Sequence, residues 1–341
     1  MKLIKTVDAE GHVLCHDLTR IVKGVTKGAA FRKGHVVTKE DIPMLLSMGK
    51  QALYVWEKQE GMLHENDAAD ILYAICAGAH MQPTPVKEGK IEAIAEEDGL
   101  LLVDTEKLRA INSLGQMMIA TRRNGSPVKK GDKLAGTRVI PLVIEQQKME
   151  EAKQAGGGQP VLTLYPYKKK KVAVVTTGSE VASGLIQDTF TPVLVEKVAE
   201  FGAEVTGHVV LGDDDAAVTK AIHTFLGQGA DMVLCTGGMS VDPDDKTPLA
   251  IKNTGAAIVS YGAPVLPGAM FLLAYAQNNV PVLGLPGCVM YAGRTIFDIV
   301  LPYLMADVPV TGSMLAGLGH GGLCLNCAAC IYPNCSFGAG V

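Results

Sequence analysis

The second half of the chain alternates apolar, β-branched runs with segments of helical periodicity. A continuous apolar, β-branched run predicts a buried parallel strand at 172–175, and further strands are predicted at 205–211, 231–235, 256–260 and 280–285. Between two of them, Ala217, Val218, Ala221 and Ile222 recur at helical spacing. This alternation predicts an α/β domain with three layers, in which a mostly parallel sheet is covered by helices on both faces.

The first 150 residues follow a different pattern, in which short apolar runs are separated by glycine turns. They predict a mixed, β-rich α+β region. One helix is predicted between Thr38, which with Asp41 resembles a capping box, and Gly49. Another is predicted to start after Asn66 or Asp67. The polar cluster at 64–67 is either a lid that enters a partner's site or, as we favour, a plain helix cap.

Composition breaks mark the predicted domain boundaries. Three consecutive glycines at 156–158 follow a polar, helix-prone segment and predict a linker at 153–169. We therefore predict a mixed α+β region at 1–152, an α/β domain at 170–310, and a Gly/Cys-rich tail at 311–341. Within the α/β domain, Thr191 is the predicted N-cap of the first helix, with Gly202 beyond its end.

Charge and hydropathy exclude several classes of protein. With 341 residues, 48% of them hydrophobic and 19% charged, the chain can form large cores and is not disordered. A net charge of −4 argues against nucleic-acid binding through a basic surface. The N-terminus does not resemble a signal peptide, and the uncharged stretch at 253–293 is interrupted by prolines. We therefore expect a cytoplasmic protein with no nucleic-acid or membrane partner.

The loops that follow the predicted strands share one kind of chemistry. In such folds ligands bind beyond the carboxyl ends of the strands. The residues there are Thr177, Gly178, Ser179 and Glu180; Asp213 and Asp214; Thr236, Gly237, Gly238, Ser240, Asp242 and Asp245; and Pro286, Gly287 and Cys288. Glycine backbones and hydroxyls suit an anionic ligand, and the carboxylates require either Mg²⁺ or raised pKa values.

Each loop also has a plainer interpretation. Asp213 or Asp214 would cap the next helix, and Thr247-Pro248 has the form of an ordinary helix start. Cys288 is interpreted first as a small packing residue, although a thiolate there would lie near a bound ligand. The coincidence of four loops at one sheet edge favours a binding site.

With these motifs in this order and spacing, residues 170 to about 305 resemble the molybdopterin-binding domain shared by molybdopterin molybdenumtransferases, gephyrin and molybdopterin adenylyltransferases. The resemblance implies molybdopterin as ligand or substrate. It also implies Mg²⁺-dependent insertion of molybdate into adenylylated molybdopterin by Glu180, Asp214 and Asp245, with Asp242 as a rival for the last role. It further implies a homodimer. The first 150 residues resemble the companion domains only loosely, through the segment at 11–17.

The sequence departs from the family pattern in four places. Thr189 and Phe190 stand where an Asn is usual, and Ala269 stands where a phosphate-binding Lys is usual. Cys288 and Val289 replace the usual Asn-Pro after Pro286-Gly287. A short cysteine tail stands where the family has a β-barrel domain. These differences bear on the transferase reaction more than on pterin binding.

The last cysteines form a compact motif, Cys-x2-Cys-x2-Cys-x4-Cys. Its members are Cys324, Cys327, Cys330 and Cys335. The spacing is close to that of bacterial ferredoxins and suits a [4Fe–4S] cluster, with a four-cysteine Zn²⁺ site as the alternative. His320 offers a mixed ligand set, and a flexible tail with incidental thiols is the plain interpretation.

Two functions follow from these observations. The first is an enzyme of molybdenum cofactor biosynthesis that inserts molybdate. The alternative is a non-catalytic cofactor carrier or chaperone that docks to a molybdoenzyme through its cysteine tail. A generic mononucleotide-binding protein is a third and weaker interpretation.

Overall fold

The computed structural model describes residues 2–22, 26–55, 60–240 and 245–340. Its strands are β1 Lys2–Lys5, β2 Leu18–Val22, β3 Thr26–Phe31, β4 Ala52–Val55, β5 Met62–His64, β6 Met81–Pro83, β7 Lys90–Ala95, β8 Gly99–Val103, β9 Met117–Thr121, β10 Ser126–Val128, β11 Lys133–Val139, β12 Val143–Glu145, β13 Leu162–Pro166, β14 Lys171–Thr177, β15 Glu204–Leu211, β16 Met232–Thr236, β17 Ala257–Tyr261, β18 Leu272–Tyr275 and β19 Pro281–Leu285.

The helices lie between these strands. They are α1 Asp41–Ser47, α2 Glu65–Cys76, α3 Thr105–Ser113, α4 Gln146–Gly156, α5 Ser179–Ala182, α6 Phe190–Ala199, α7 Asp215–Gly227, α8 Thr247–Asn253, α9 Ile296–Met305 and α10 Gly312–Gly317. Short 3-10 helices cover Thr6–Asp8, Gln277–Asn279 and Gly287–Met290. No helix in the described ranges is both long and apolar enough to cross a membrane.

The chain divides into two compact units that are not simple consecutive halves. One comprises Met1–Ile94, Asp104–Thr121 and Lys133–Leu162. The other comprises Ala95–Val103, Arg122–Asp132 and Thr163–Val341. Two short segments from the first half of the chain, which include β8 and β10, therefore belong to the second unit.

The first unit is β-rich, as the sequence predicts. Its largest sheet has the order β6-β7-β11-β9, and β1-β4, β2-β3 and β12-β5 form antiparallel pairs. Helix α2 begins at Glu65, because the His64 ring accepts a hydrogen bond from the Asn66 N–H and caps it. The plain cap was the right interpretation of the 64–67 cluster, although the capping residue precedes the predicted Asn66 or Asp67.

The second unit contains the predicted three-layer α/β domain. Its six-stranded sheet has the order β15-β14-β16-β19-β18-β17, and β14, β15, β16 and β19 run parallel. Strand β18 pairs antiparallel with both β19 and β17, so it alone runs against the other five strands. The sequence analysis did not predict β18, a short apolar run between the Pro267 turn and the polar segment Gln277–Asn279.

Alternate residues of the sheet pack into two cores. On one face Val174, Leu234 and Leu283 pack against α6 and the fully buried α9. On the other, residues such as Val175 and Val233 pack against α7 and α8. This covering of both faces explains why the strands are continuously apolar.

The helix for which Thr191 was the predicted N-cap starts earlier than predicted. Helix α6 begins at Phe190, and Asp188 Oδ1 accepts hydrogen bonds from the Phe190 and Thr191 N–H groups at 2.9 and 3.1 Å. The Thr191 hydroxyl instead donates to Asp188 Oδ2 at 2.6 Å. Thr191 is therefore not the N-cap. Gly202 does lie beyond the helix end with a left-handed φ of 72°.

A buried ionic cluster joins α6 to α9. Lys197 Nζ lies 2.5 Å from Asp298 Oδ1, and Arg294 Nη1 lies 2.9 Å from the same oxygen. The other carboxylate oxygen of Asp298 accepts from the Thr295 N–H at 2.7 Å and completes a capping box at the start of α9. Asp298 thus combines helix capping with charge compensation inside the core.

Asp298→Ala is expected to lower the free energy of unfolding by about 3–5 kcal/mol, because it leaves the buried Lys197 ammonium without its carboxylate. Chemical denaturation followed by circular dichroism measures the change. Lys197→Met, which leaves Asp298 paired with Arg294, is the comparison and should cost clearly less. Equal losses in both variants would contradict this account.

Candidate functional site

The loops after β14 and β16 meet through three buried threonines at the carboxyl edge of the sheet. The Thr177 hydroxyl donates to the Thr236 carbonyl oxygen at 3.1 Å and lies 3.1 Å from the Thr247 hydroxyl. The Thr247 hydroxyl also contacts the Gly237 carbonyl oxygen at 2.9 Å. Thr247, interpreted from sequence as an ordinary helix start, therefore lies at the junction of two predicted ligand loops.

Close backbone approach requires glycine in this junction. Gly237 and Gly238 have φ values of 81° and 52°, which favour glycine. A Cβ on Gly237 would lie 2.1 Å from the Thr177 carbonyl oxygen. Gly178, in the first loop, also has a positive φ, of 141°. Glycine at 237 therefore lets the ends of β14 and β16 meet, while the Gly178 N–H donates to the Leu211 carbonyl oxygen at 3.1 Å.

The loop after β15 reaches the first loop through Asp213. Asp213 Oδ2 accepts hydrogen bonds from the Ser179 N–H and hydroxyl groups at 3.0 and 2.8 Å. Asp214 has a different part: its Oδ1 accepts from the N–H groups of Ala216 and Ala217 at 2.9 and 3.3 Å. The helix-cap interpretation therefore describes the contacts of Asp214, and its catalytic assignment stays a prediction.

The remaining predicted carboxylates lie in different environments. Glu180 is exposed on the single turn α5, and Asp245 is half-buried just before α8. Burial and the nearby Asp245 carboxylate raise the pKa of Tyr261, whose hydroxyl donates to the Met239 carbonyl oxygen at 3.1 Å. Asp242 lies in 241–244, outside the described residues.

The described chain contains no group of three His, Cys, Asp or Glu side chains arranged to hold a metal ion. The protein carboxylates alone therefore do not form a complete Mg²⁺ site. This geometry is compatible with the usual mode of Mg²⁺ binding, in which one or two carboxylates act together with water and substrate phosphates.

The loop after β19 supplies Pro286, Gly287 and Cys288. Gly287 is exposed and Cys288 is half-buried. Burial raises the pKa of the Cys288 thiol, which favours the packing interpretation over a thiolate ligand. The loop is joined to the first loop by Thr189, whose hydroxyl lies 2.5 Å from Met290 Sδ.

Two of the predicted hydroxyl residues remain available for other contacts. The Thr236 hydroxyl is fully buried and has no hydrogen-bond partner among the described residues. Ser240 is exposed beside Tyr261, whose hydroxyl lies 3.4 Å from the Ser240 carbonyl oxygen. Both therefore lie on the third loop as predicted, and their roles in binding stay predictions.

A polar network beside the first loop escaped the sequence analysis. Thr176 Oγ1 lies 3.1 Å from His208 Nε2 and 3.3 Å from Asp188 Oδ2. Burial favours a neutral Asp188, but hydrogen bonds from Thr191 and Phe190 and the nearby His208 outweigh it and hold the pKa of Asp188 below its usual range. In the sequence, Asp188 followed by Thr189 and Thr191 at the start of α6 could have indicated this network, because Asp and Thr side chains often hydrogen-bond at helix starts.

The cysteine tail is attached to the second unit. Phe337 is buried in its main core, and its carbonyl oxygen accepts from Arg123 Nη1 at 3.0 Å. Cys324 and Cys335 pack against the same core, while Cys327 and Cys330 are exposed. All four cysteines are among the residues that line one cavity of about 470 Å³. These contacts attach the tail to the second unit, and a metal-binding role for its thiols stays a prediction.

The other cysteines are packing residues, as expected. Cys15, Cys76 and Cys235 are fully buried. Burial raises the pKa of Cys76 and of Cys235 to about 12, so both thiols stay protonated near neutral pH.

Two family models match separate parts of the chain. Residues 173–306 match the family model described as "Probable molybdopterin binding domain". Residues 3–57 match a second model, described as "Domain of unknown function (DUF8806)". The six-stranded α/β domain therefore matches the family model that the sequence resemblance predicts.

Among curated proteins, the chain is similar to a molybdopterin molybdenumtransferase from Synechococcus elongatus. The two are 27% identical over 246 residues, or 67% of this chain and 57% of the relative. A CinA-like protein from Mycolicibacterium vanbaalenii is 36% identical over 78 residues, or 23% of this chain and 18% of that protein. The chain therefore spans less than two thirds of either relative.

Solved structures similar to this chain include two MoaB proteins. The molybdopterin biosynthesis enzyme MoaB from Thermus thermophilus is 20% identical, with a TM-score of 0.35, over 42% of this chain and 97% of that one. The tungsten cofactor synthesizing protein MoaB from Pyrococcus furiosus is 24% identical, with a TM-score of 0.32, over 40% and 89%.

Gly237→Ala is expected to lower the free energy of unfolding by at least about 2 kcal/mol, because the new Cβ overlaps the Thr177 carbonyl oxygen at a strained φ. Thermal unfolding measures the change. Gly227→Ala is the matched control, since a Cβ there meets no atom within 4 Å. If both variants melt alike, the junction does not require glycine.

Proposed function

We propose that this protein binds molybdopterin at the carboxyl edge of its six-stranded sheet, because residues 173–306 match the family model of a probable molybdopterin-binding domain. We propose further that it inserts molybdate into adenylylated molybdopterin with the help of Mg²⁺. The observation that carries the proposal is the junction in which the Thr177 and Thr247 hydroxyls hold the Gly237 backbone at the edge where such folds bind ligands.

Individual residues have separable tasks in this reaction. The backbone at Gly237 and Gly238 binds an anionic group of the substrate, because amides without a side chain in front of them can approach its oxygens closely. Ser179, held by Asp213, orients the first loop toward the same edge. The buried Thr236 hydroxyl is a further donor, and Asp242, Ser240, Pro286 and Gly287 remain predicted contacts of the pterin.

Mg²⁺ would be held by Glu180 and Asp245 together with substrate phosphate oxygens. Glu180 is exposed and Asp245 is half-buried, so both carboxylates can reach a solvated ion. The ion would neutralise phosphate charge and polarise the bond that is hydrolysed. Asp214 keeps one carboxylate oxygen outside its cap and could add to the set.

Glu180→Gln and Asp245→Asn are expected to reduce turnover of adenylylated molybdopterin with molybdate at least about 100-fold, because each removes a charge near the metal. Turnover is measured as cofactor formed, with circular dichroism to confirm folding. Asp307→Asn, at the other end of β14 beside Lys170, is the matched control and should keep full turnover. Normal turnover in both site variants would refute the assignment.

Asp214→Asn separates capping from catalysis. Asn caps helices as well as Asp does, so the thermal midpoint should stay unchanged. If Asp214 also acts near Mg²⁺, turnover falls at least tenfold and recovers partly at high Mg²⁺ concentration. Unchanged turnover would assign Asp214 to the cap alone.

A second function is a carrier or chaperone that binds the finished cofactor and docks to a molybdoenzyme through its cysteine tail. Ala269, in place of the lysine usual in related sequences, favours this reading, and so does a tail fixed on the molecule. It requires tight binding without release of AMP from the adenylylated pterin. Release of AMP at the rate of an active transferase would exclude it.

Two further features belong to either function. We propose that the four tail thiols hold a metal centre, either a [4Fe–4S] cluster or Zn²⁺, because they line one cavity. The protein is also proposed to be a homodimer, as the resemblance implies, and sedimentation at micromolar concentration tests this. A monomer with full pterin affinity would refute the dimer.

A further inference from the structure

A small cavity of about 340 Å³ lies between the segment at 122–127 and the tail at 333–335, and none of the pterin-site residues lines it. Arg122 and Arg123 line it together with Ser126 and Asn334. No carboxylate is among the described residues of its lining. Two neighbouring guanidinium groups without a carboxylate in the same wall favour a bound anion, because each can pair with two anionic oxygens.

Arg123 is the cation on which this cavity depends. It is half-buried, and it forms no ion pair with a carboxylate of the described residues. Its Nη1 atom donates to the Phe337 carbonyl oxygen at 3.0 Å, and its own carbonyl oxygen accepts from the Ser126 hydroxyl at 2.6 Å. These contacts fix Arg123 but bring no negative charge. Since removing a cation from water without an opposite charge is unfavourable, an anion beside Arg123 would be stabilising.

A second cavity, of about 520 Å³, adjoins the first. The two have four lining residues in common, Arg122, Pro127, Pro333 and Asn334. The walls of the second cavity include Tyr167, Phe201 and Tyr332. The rings of Tyr167 and Phe201 meet edge to face, with their centres 4.9 Å apart. Aromatic walls of this kind suit a planar ring.

The cations of the second cavity are already compensated. Each has a carboxylate partner in the described chain, through the pairs Arg122–Asp132, Lys129–Asp98, Lys197–Asp298 and Arg294–Glu200. The positive charge that lacks a carboxylate is therefore at the Arg123 end of the combined space. Together the two cavities suit a ligand with an aromatic body and one anionic group at its end.

Both walls of this space belong to the second unit and are held by contacts within the protein. On one wall, β10 pairs with β8, and the Gly125 N–H donates to the Leu101 carbonyl oxygen at 3.0 Å. On the other wall, the Tyr332 hydroxyl donates to the Asp298 carbonyl oxygen at 3.0 Å, and the Arg294 guanidinium lies 5.3 Å from the Tyr332 ring centre. A site that is formed in advance loses less conformational entropy when a ligand binds.

We propose that the two cavities form one binding site for a small aromatic phosphate ester, whose phosphate contacts Arg122 and Arg123 and whose ring packs against Tyr167, Phe201 and Tyr332. Phosphate is favoured over carboxylate because its three oxygens can accept hydrogen bonds from both guanidinium groups at once. The site is separate from the proposed pterin site and does not depend on it.

The test measures binding of phenyl phosphate to the full chain by isothermal titration calorimetry, with inorganic phosphate and benzoate as comparison ligands. Arg122→Gln and Arg123→Gln each remove one guanidinium group. Lys130→Gln is the matched control, because it removes a positive charge from an exposed position of the same segment that lines neither cavity. Hydrogen–deuterium exchange of the wild type, with and without phenyl phosphate, locates the site without any substitution.

Phenyl phosphate is expected to bind at least about tenfold more tightly than inorganic phosphate or benzoate, because it alone supplies both the ring and the phosphate. Its affinity should fall at least about tenfold in both arginine variants and stay unchanged in Lys130→Gln. Bound phenyl phosphate should slow amide exchange at 122–128 and at 332–337.

Three kinds of result would overturn parts or all of this proposal. Equally tight binding of inorganic phosphate would overturn the aromatic part of the site, and equally tight binding of benzoate would overturn the phosphate assignment. Absence of phenyl phosphate binding, or full affinity in both arginine variants, would overturn the site. Slowed exchange at 177–180 and 236–238 instead would also overturn it, because the ligand would then occupy the edge of the sheet.

Discussion

The buried carboxylate of Asp298 is the contact on which the arrangement of the second unit depends. It caps α9, compensates Lys197 of α6, and holds Arg294 at the end of the loop that follows β19. Its backbone carbonyl accepts the Tyr332 hydroxyl of the cysteine tail. A single residue thus joins a core helix, a ligand loop and the tail, and its charge is tolerable in the interior because two cations and a helix N-terminus surround it.

The sheet edge shows how a binding site is assembled from groups that also stabilise the fold. The hydroxyls of Thr177 and Thr247 form hydrogen bonds with neighbouring backbone and with each other. One carboxylate oxygen of Asp214 accepts hydrogen bonds at the start of a helix. Among the described residues, the backbone at Gly237 and Gly238 and the exposed side chain of Glu180 also lie at this edge. In the proposed function, neutral donors would bind the anion, and the carboxylates would act together with a cation.

The cysteine cavity extends the same edge instead of forming a separate module. Pro267 and the segment at 291–294, which follows the loop after β19, form part of its wall, and its other wall is the tail itself. Strand β18, which runs antiparallel to β19, brings the Pro267 loop to this edge.

The sequence by itself determined the layers of the α/β domain, its mostly parallel strands and the loops that carry the site, because burial on both faces of a sheet leaves continuous apolar runs and glycine marks close backbone contacts. It also singled out the four cysteines of the tail. Only the tertiary structure decided that Asp213 binds Ser179, that Thr247 joins two loops, and that Asp188 and His208 form a network, because each contact joins segments that are far apart in the chain. For the same reason, the attachment of the tail and its cavity beside the ligand loops could not be derived from cysteine spacing.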